Sequence, residues 1–244
     1  MERALDSALN QTLLPAEILL VDDASGDGSV DLLHQLETIH APRVKVISLA
    51  KNEGPGPARN AGWEAATQPW LAFLDADDAW HPRKLEIQWA WLESHPEAAL
   101  CGHASQFSTG TLDIPVEEAP DSIRLSPVQM LVSNRLPTRS VMLRKDLPFR
   151  FHGREVAEDY LLWLEIIFAG HAAYRLETCL AFSLRPDFSP GGYSGQLWAH
   201  EKRELAALRT LRANGNLSWL AFELSAGWSY VKFLRRLWLM RSMR

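Results

Sequence analysis

Apolar residues in the first hundred positions alternate between helical spacing and short unbroken runs. Residues 3–13 carry Ala4, Leu5, Ala8 and Leu9 on one face, the three-and-four spacing of an amphipathic helix. Residues 17–21 (Glu-Ile-Leu-Leu-Val) form a short apolar run that ends at Asp22-Asp23, which predicts a buried strand. A second helix is predicted over 29–39, a strand over 44–49, a helix over 57–66 and a strand over 70–74. A further helix over 83–93 places Leu85, Ile87, Trp89 and Leu92 among polar residues. Short strands alternating with helices of this length predict an α/β fold, a mostly parallel sheet with helices on both faces.

Beyond residue 98 the alternation weakens. A strand is expected at 99–103, loop over 105–126, a helical turn at 126–131 and a short strand at 140–143. The run Tyr160-Leu-Leu-Trp-Leu-Glu-Ile-Ile-Phe168 marks a helix within 153–169, and 172–184 reads as strand-rich. A charged helix is expected over 198–214 and a Trp-rich, basic-ended one over 217–244. No internal repeat or low-complexity tract interrupts this order. Three parts are therefore expected: 1–97, 98–195 of the same domain, and a helical extension over 196–244.

Composition narrows the class. A chain of 244 residues with 47% hydrophobic content can bury one substantial core. The net charge of −5 leaves no footprint for a nucleic acid polymer. Two cysteines, Cys101 and Cys179, are too few for a disulfide framework and point to buried thiols in a reducing compartment. Met1-Glu-Arg-Ala-Leu5 lacks the features of a signal peptide, and no uncharged run reaches the ~20 residues of a membrane span. A cytoplasmic protein is expected.

The chemistry gathers at strand ends. Ligands of open α/β sheets bind outside the carboxyl ends of the strands. Two acidic clusters fall there, Asp22-Asp23 and Asp75-Ala-Asp77-Asp78. Crowded carboxylates repel unless a cation lies between them, and a hard divalent ion shared with nucleotide phosphates resolves that repulsion. The competing reading is a polar turn in which Asp78 caps the next helix; for Asp78 itself the cap is favoured. Residues 52–62 (Asn-Glu-Gly-Pro-Gly-Pro-Ala-Arg-Asn-Ala-Gly) combine small residues with the cation Arg59 and a helix start near Pro57, a place suited to anions. Arg59 could instead pair with a rim carboxylate. This segment is neither a dinucleotide fingerprint nor a P-loop, since Arg59 stands where a third glycine would and no Gly-Lys-Ser/Thr is present. The eight histidines show no zinc-ligand spacing.

Five motifs in order resemble the inverting family 2 glycosyltransferases of the GT-A fold. They are residues 4–12 (Ala-Leu-Asp-Ser-Ala-Leu-Asn-Gln-Thr), 18–25 (Ile-Leu-Leu-Val-Asp-Asp-Ala-Ser), 52–62, 73–78 (Phe-Leu-Asp-Ala-Asp-Asp) and 158–163 (Glu-Asp-Tyr-Leu-Leu-Trp). The resemblance implies a sugar moved from a nucleotide-diphosphate donor, UDP-sugar by preference, to an acceptor hydroxyl with inversion. It implies donor contacts from Asp22, Asp23, Asn52, Gly54, Arg59, Asp75 and Arg185, with Asp23 on the nucleotide base. Asp77, with Asp75, would hold Mn²⁺ or Mg²⁺, and Asp159 would be the general base with Glu158 as its fallback. Arg139 and Ser140 lie where relatives shape the acceptor side. Residues 185–194 resemble the family's diphosphate-closing loop without its histidine, which is replaced by Asp187 and Phe188.

Cell-surface polysaccharide or glycolipid synthesis is the implied setting, with a carbohydrate or lipid-linked acceptor. Trp219, Trp228, Trp238 and the basic Lys232, Arg235, Arg236, Arg241 and Arg244 then suggest that 217–244 rests on the inner face of the membrane without crossing it. One departure stands out. Family members place a buried strand directly before the helix that here starts at Met1, so the strands ending at Asp23 and Asp75 should flank an open slot. An upstream start and an inactive copy both account for it. The alternatives are therefore a sugar-nucleotide-binding remnant or, with less support, a nucleotidyltransferase, which would need a basic Gly-rich N-terminal loop.

Overall fold

A computed structural model describes residues 1–108, 110, 112, 114–183 and 197–242 of the chain. The first half follows the expected alternation. Helix α1 (Glu2–Leu9) precedes strand β1 (Ile18–Asp22), helix α2 (Ser29–His40), strand β2 (Val44–Ser48), helix α3 (Pro55–Ala65) and strand β3 (Trp70–Ala72). Strand β4 (Asp78–Trp80), helix α4 (Lys84–Ser94) and the long strand β5 (Ala98–Phe107) come next. Strand β6 (Ser122–Arg124), helix α5 (Pro127–Val132), a 3₁₀ turn (Thr138–Ser140) and strand β7 (Met142–Arg144) follow. Helix α6 (Glu158–Phe168), strand β8 (Ala172–Ser183) and helices α7 (Leu197–Ala213) and α8 (Trp219–Ser242) complete the described chain.

The α/β architecture is the expected one, but its sheet is mixed rather than mostly parallel. β1 and β2 form a two-stranded parallel ladder of their own. The other six strands form a second sheet in the order β3-β7-β5-β8-β4, with β6 beside β8. Within it β5 and β8 run parallel, whereas β3/β7, β5/β7, β4/β8 and β6/β8 are antiparallel. The parallel expectation came from βα alternation, which holds only up to α4. Past that point β7 enters between β3 and β5 and pairs antiparallel with both, so the βα rule no longer sets strand direction. Among the described residues β1 pairs only with β2 and β3 only with β7. The ladder is thus interrupted between β1 and β3, where the open slot was expected.

Two local differences have clear causes. The first helix ends at Leu9, not at residue 13, because Gln11 turns inward. Its amide donates to the Ser7 and His81 carbonyls at 2.9 and 2.8 Å and accepts the Leu85 N–H at 2.9 Å. Asp78 does not cap a helix. It opens β4 opposite Ser183, is buried, and α4 begins six residues later after Arg83.

Helix α6 runs through the centre of the molecule. Leu161, Leu162, Trp163, Leu164 and Ile166 are all fully buried, the all-round apolar pattern of an interior helix. Against it lies a chain of aromatic contacts: Phe151–Trp163 at 5.7 Å and Phe73–Phe151 at 5.1 Å, both edge-on, and a tilted Trp63–Phe73 pair at 6.0 Å between ring centroids. This cluster joins α3, the end of β3 and the start of α6, and so fixes the three segments that carry the candidate site. Helix α7 adds Ala207, Leu208 and Leu211 to the same core. Lys232 and Arg236 of α8 turn onto the buried Glu204 of α7 at 2.8 and 3.5 Å, so they do not belong to an outward basic face. The outward face carries Leu220, Leu224, Val231, Leu234 and Trp238, all exposed. No described helix is long and apolar enough to cross a membrane.

Candidate active site

The end of β1 turns back on its own chain. Asp22 is buried and accepts the Ser25 N–H at 3.2 Å and the Ser25 hydroxyl, a turn-forming role. Asp23 accepts the backbone N–H groups of Glu53 at 2.8 Å and Gly54 at 2.7 Å, while Asn52 Nδ2 donates to the Asp23 carbonyl at 2.8 Å. Asp23, Asn52 and Gly54 therefore meet, as expected of one site. Gly54 adopts φ of +99°, open to glycine at little cost, and an added Cβ would lie 3.0 Å from Arg154 Nε. That Arg154 side chain donates to the Asn52 side-chain oxygen and, at 3.2 Å, to the Glu53 carbonyl. Gly56 opens space for the backbone, since a Cβ there would meet the His152 carbonyl at 2.0 Å.

Arg59 is the centre of the cluster. From α3 its Nη2 donates to Asp75 Oδ1 at 2.7 Å and its Nη1 to Glu158 Oε1 at 3.2 Å. Its guanidinium also lies 5.3 Å from the centre of the Phe151 ring. Burial disfavours its charge, but Asp75 and Glu158 outweigh that and hold it firmly protonated. Arg59 thus makes the pairing with rim carboxylates that the sequence left open beside a donor contact. One guanidinium thereby ties the acidic end of β3 to the start of α6.

The three aspartates after β3 divide into different surroundings. Asp77 is exposed, Asp75 is partly exposed beside Arg59, and Asp78 is buried against Arg139 Nη1 at 2.9 Å. Burial pushes the Asp78 carboxyl up to about 6; Arg139 opposes this, and the charges of Asp75 and Asp77 add to it. Among the described residues no group of three or more His, Cys, Asp or Glu could cage a metal ion. Two carboxylates at an open rim still suit an ion that takes its remaining ligands from diphosphate and water, the common mode for Mg²⁺.

At the start of α6 two adjacent carboxylates behave differently. Glu158 is buried and locked to Arg59; burial and the neighbouring Asp159 raise its pKa, while Arg59 pulls it down. Asp159 is half-buried, and its Oδ2 accepts Thr138 Oγ1 at 3.2 Å and Asn134 Nδ2 at 3.4 Å. These bonds aim one oxygen without neutralising it. Both carboxylates lie in a first helical turn, where the helix dipole favours negative charge.

Arg185 and the segment resembling a closing loop lie outside the described residues. The sequence reading missed Arg154, Asn134, Thr138 and Phe151, which hold or aim the expected residues from elsewhere in the chain. Thr138 directly precedes Arg139 and Ser140, which the resemblance already set on the acceptor side. Asn134 and Arg154 carried no local signal, because their roles arise only from tertiary contact.

Comparison with known proteins identifies the family and the fold. The sequence profile of Glycosyl transferase family 2 covers residues 1–151, and the chain belongs to that family. The putative teichuronic acid biosynthesis glycosyltransferase TuaG of Bacillus subtilis is 30% identical over 184 residues, 74% of this chain and 72% of that protein. The amylovoran biosynthesis glycosyltransferase AmsE of Erwinia amylovora is 31% identical over 191 residues, 74% of this chain and 68% of that protein, whereas two further relatives match over 26% and 23% of their own length. Among solved structures, S. aureus TarS residues 1–349 with UDP-GlcNAc superposes with a TM-score of 0.69 at 17% identity, over 96% of this chain and 68% of that one. The mannosyltransferase PcManGT of Pyrobaculum calidifontis, with GDP-Man and Mn²⁺, gives 0.65 at 15% identity over 94% of this chain and 69% of that one. The fold is that of GT-A glycosyltransferases.

Proposed function

We propose that the chain transfers a sugar from a nucleotide-diphosphate donor, a UDP-sugar by preference, to an acceptor hydroxyl with inversion at the anomeric carbon. The observation that carries this reading is the split between Glu158 and Asp159. One is buried and paired with Arg59; the other is half-buried and aimed by Thr138 and Asn134. Asp159 takes the proton of the acceptor hydroxyl as that oxygen attacks the anomeric carbon from the face opposite the diphosphate. A single carboxylate suffices, because no covalent intermediate forms. Asp23, Asn52 and Gly54 bound the donor side, with residues 1–97 as the donor half and 98–195 as the acceptor half. Asp77 and Asp75 would hold Mn²⁺ or Mg²⁺, which supplies charge neutralisation to the leaving diphosphate. The neighbour bound to GDP-Man and Mn²⁺ supports a divalent ion, and the neighbour bound to UDP-GlcNAc supports a UDP-sugar.

Relatives such as TuaG favour cell-surface polysaccharide or glycolipid synthesis as the setting. The exposed stripe of α8 at Leu220, Leu224, Val231, Leu234 and Trp238, spaced four, seven, three and four apart, supports contact with a membrane surface bearing a lipid-linked acceptor. The rival reading, a sugar-nucleotide-binding module without turnover, draws on the interrupted ladder between β1 and β3. Asp159→Asn decides the catalytic claim: donor binding should persist while transfer falls roughly 10²–10⁴-fold. Near-normal transfer in the variant would remove Asp159 from the base role.

A further inference from the structure

A cleft of about 340 Å³ opens on the acceptor side of Asp159. Its walls include His103 and Ser105 from β5, Asn134, Arg135 and Pro137 from the loop after α5, and Arg175 from β8. None of the described residues that line it is a carboxylate. Arg175 is occupied by Glu177, with Nη1 2.7 Å from Oε1. Arg135 makes no hydrogen bond or ion pair among the described residues, and its Nε is buried without a partner. A buried guanidinium nitrogen left unbonded costs free energy that an anion in the cleft would recover. The planar fork of arginine matches a carboxylate or a phosphate through two parallel hydrogen bonds.

A second orphan lies in the same wall. His103 is fully buried, and its Nδ1 is 2.8 Å from the Ala104 carbonyl oxygen, so Nδ1 carries the proton and donates. Burial and the nearby Lys84 charge push its pKa down to about 3, so the ring is neutral. Its Nε2 then has a free lone pair with no partner among the described residues, which suits a sugar hydroxyl as donor. Asn134, also in the wall, reaches Asp159 Oδ2, so a hydroxyl beside it lies next to the candidate base.

We propose that this cleft binds an acceptor sugar carrying a fixed negative charge, a carboxylate or a phosphate ester, with Arg135 on the charge and His103 Nε2 on a hydroxyl. Arg135 is a specificity-determining residue here and takes no part in bond making. The charge of Asp159 orients the ligand, since an anion avoids it and turns its neutral hydroxyl end toward it. This assignment rests on the transferase reading for the word acceptor, but the anion site itself does not.

Binding of three probes tests it: methyl β-D-glucuronide, glucose 1-phosphate and the neutral methyl β-D-glucoside, each titrated by ligand-observed NMR with UDP and Mn²⁺ saturating the donor side. The unaltered chain should bind at least one charged probe about tenfold to a hundredfold tighter than the glucoside, the worth of a hydrogen-bonded charge pair. The tighter of the two identifies carboxylate or phosphate. Arg135→Gln should level the three affinities and leave UDP binding unchanged; Arg135→Lys, which keeps the charge without the fork, should retain part of the preference. Should Arg135→Gln fail to fold, the reduced preference of Arg135→Lys carries the test. Equal binding of all three probes by the unaltered chain, or an undiminished preference in both variants, overturns the proposal. A chain that discriminates the probes yet does not bind UDP overturns the transferase reading and leaves the anion site standing.

Discussion

Replacing Arg59 by methionine should destabilise the chain in a way that depends on pH and can be reversed at a second site. The guanidinium side chain is 13% exposed and Glu158 8%, so this is a buried pair, whereas Asp75 at 38% is close to solvent. Removing one partner of a buried pair costs about 3–5 kcal/mol, because the other charge is left in a poor solvent. The Asp75 contact adds less than about 1 kcal/mol. Methionine keeps packing against Phe151, so the loss is chiefly electrostatic. Glu158 already has a raised pKa from burial and Asp159, and loss of Arg59 raises it further. A carboxyl whose folded pKa lies above its unfolded value is favourable below the unfolded value and loses that contribution as pH rises through the folded one. The defect of Arg59→Met should therefore be largest at pH 8 and smaller at pH 5. Adding Glu158→Gln should recover most of the stability, since an amide can be buried without a counter-ion. Urea melts of the four proteins in the cycle, at both pH values, measure this directly. An equal defect at pH 5 and pH 8 together with no recovery in the double variant would refute the buried-pair account. The recovered double variant also separates the roles of Arg59, since it should fold and still bind UDP poorly.

Three further outcomes follow from the geometry. Asp77→Asn should remove the Mn²⁺ dependence of UDP binding without changing the melting temperature, and calorimetric titration with and without the metal reads it; equal metal dependence in both proteins would dismiss Asp77 as a ligand. Lys84 is fully buried, its Nζ has no hydrogen-bond partner among the described residues and lies 4.0 Å from the centre of the Trp80 ring, and burial pushes its pKa down to about 7. Between that value and the ordinary lysine range the unfolded chain holds the extra proton, so stability should climb with pH; Lys84→Met should gain about 3–5 kcal/mol at pH 6 and little near pH 10 in urea melts. Leu224→Glu with Leu234→Glu should abolish flotation of the full chain with anionic vesicles if α8 lies on the bilayer, and unchanged flotation would place the contact elsewhere.

The first half of the fold was legible because its strands and helices are local and strongly patterned. β4 was not: three residues, Asp78-Ala-Trp80, owe their strand state to pairing with the far end of β8, and no short window contains that information. The same distance hid β6, whose three residues are all exposed and show no alternation. At the site, residue types were readable and partners were not. The carboxylates at strand ends declared themselves, as did the arginine among small residues of 52–62. That Arg59 would join Asp75 to Glu158, or that Asp23 would hold the Glu53 and Gly54 amides, required the packed aromatic cluster beneath them.

The interrupted ladder has a consequence for the motion of the donor side. Among the described residues β1 and β2 pair as strands only with each other, and a two-stranded ladder alone is marginal in water. What joins it to the larger sheet is side-chain work: Arg154 on Asn52 and Glu53, and the Asn60 amide on Phe151, donating to its carbonyl at 2.8 Å and accepting its N–H at 2.9 Å. The residues from Ile18 to Gly54 thus form a unit that can open without disturbing β5 and β8, and its amides should exchange with solvent first. A nucleotide seated against Asp23 and Gly54 would quench that opening. Part of its binding free energy would then go into stiffening one lobe, and the ligand would act as the strut that the backbone lacks.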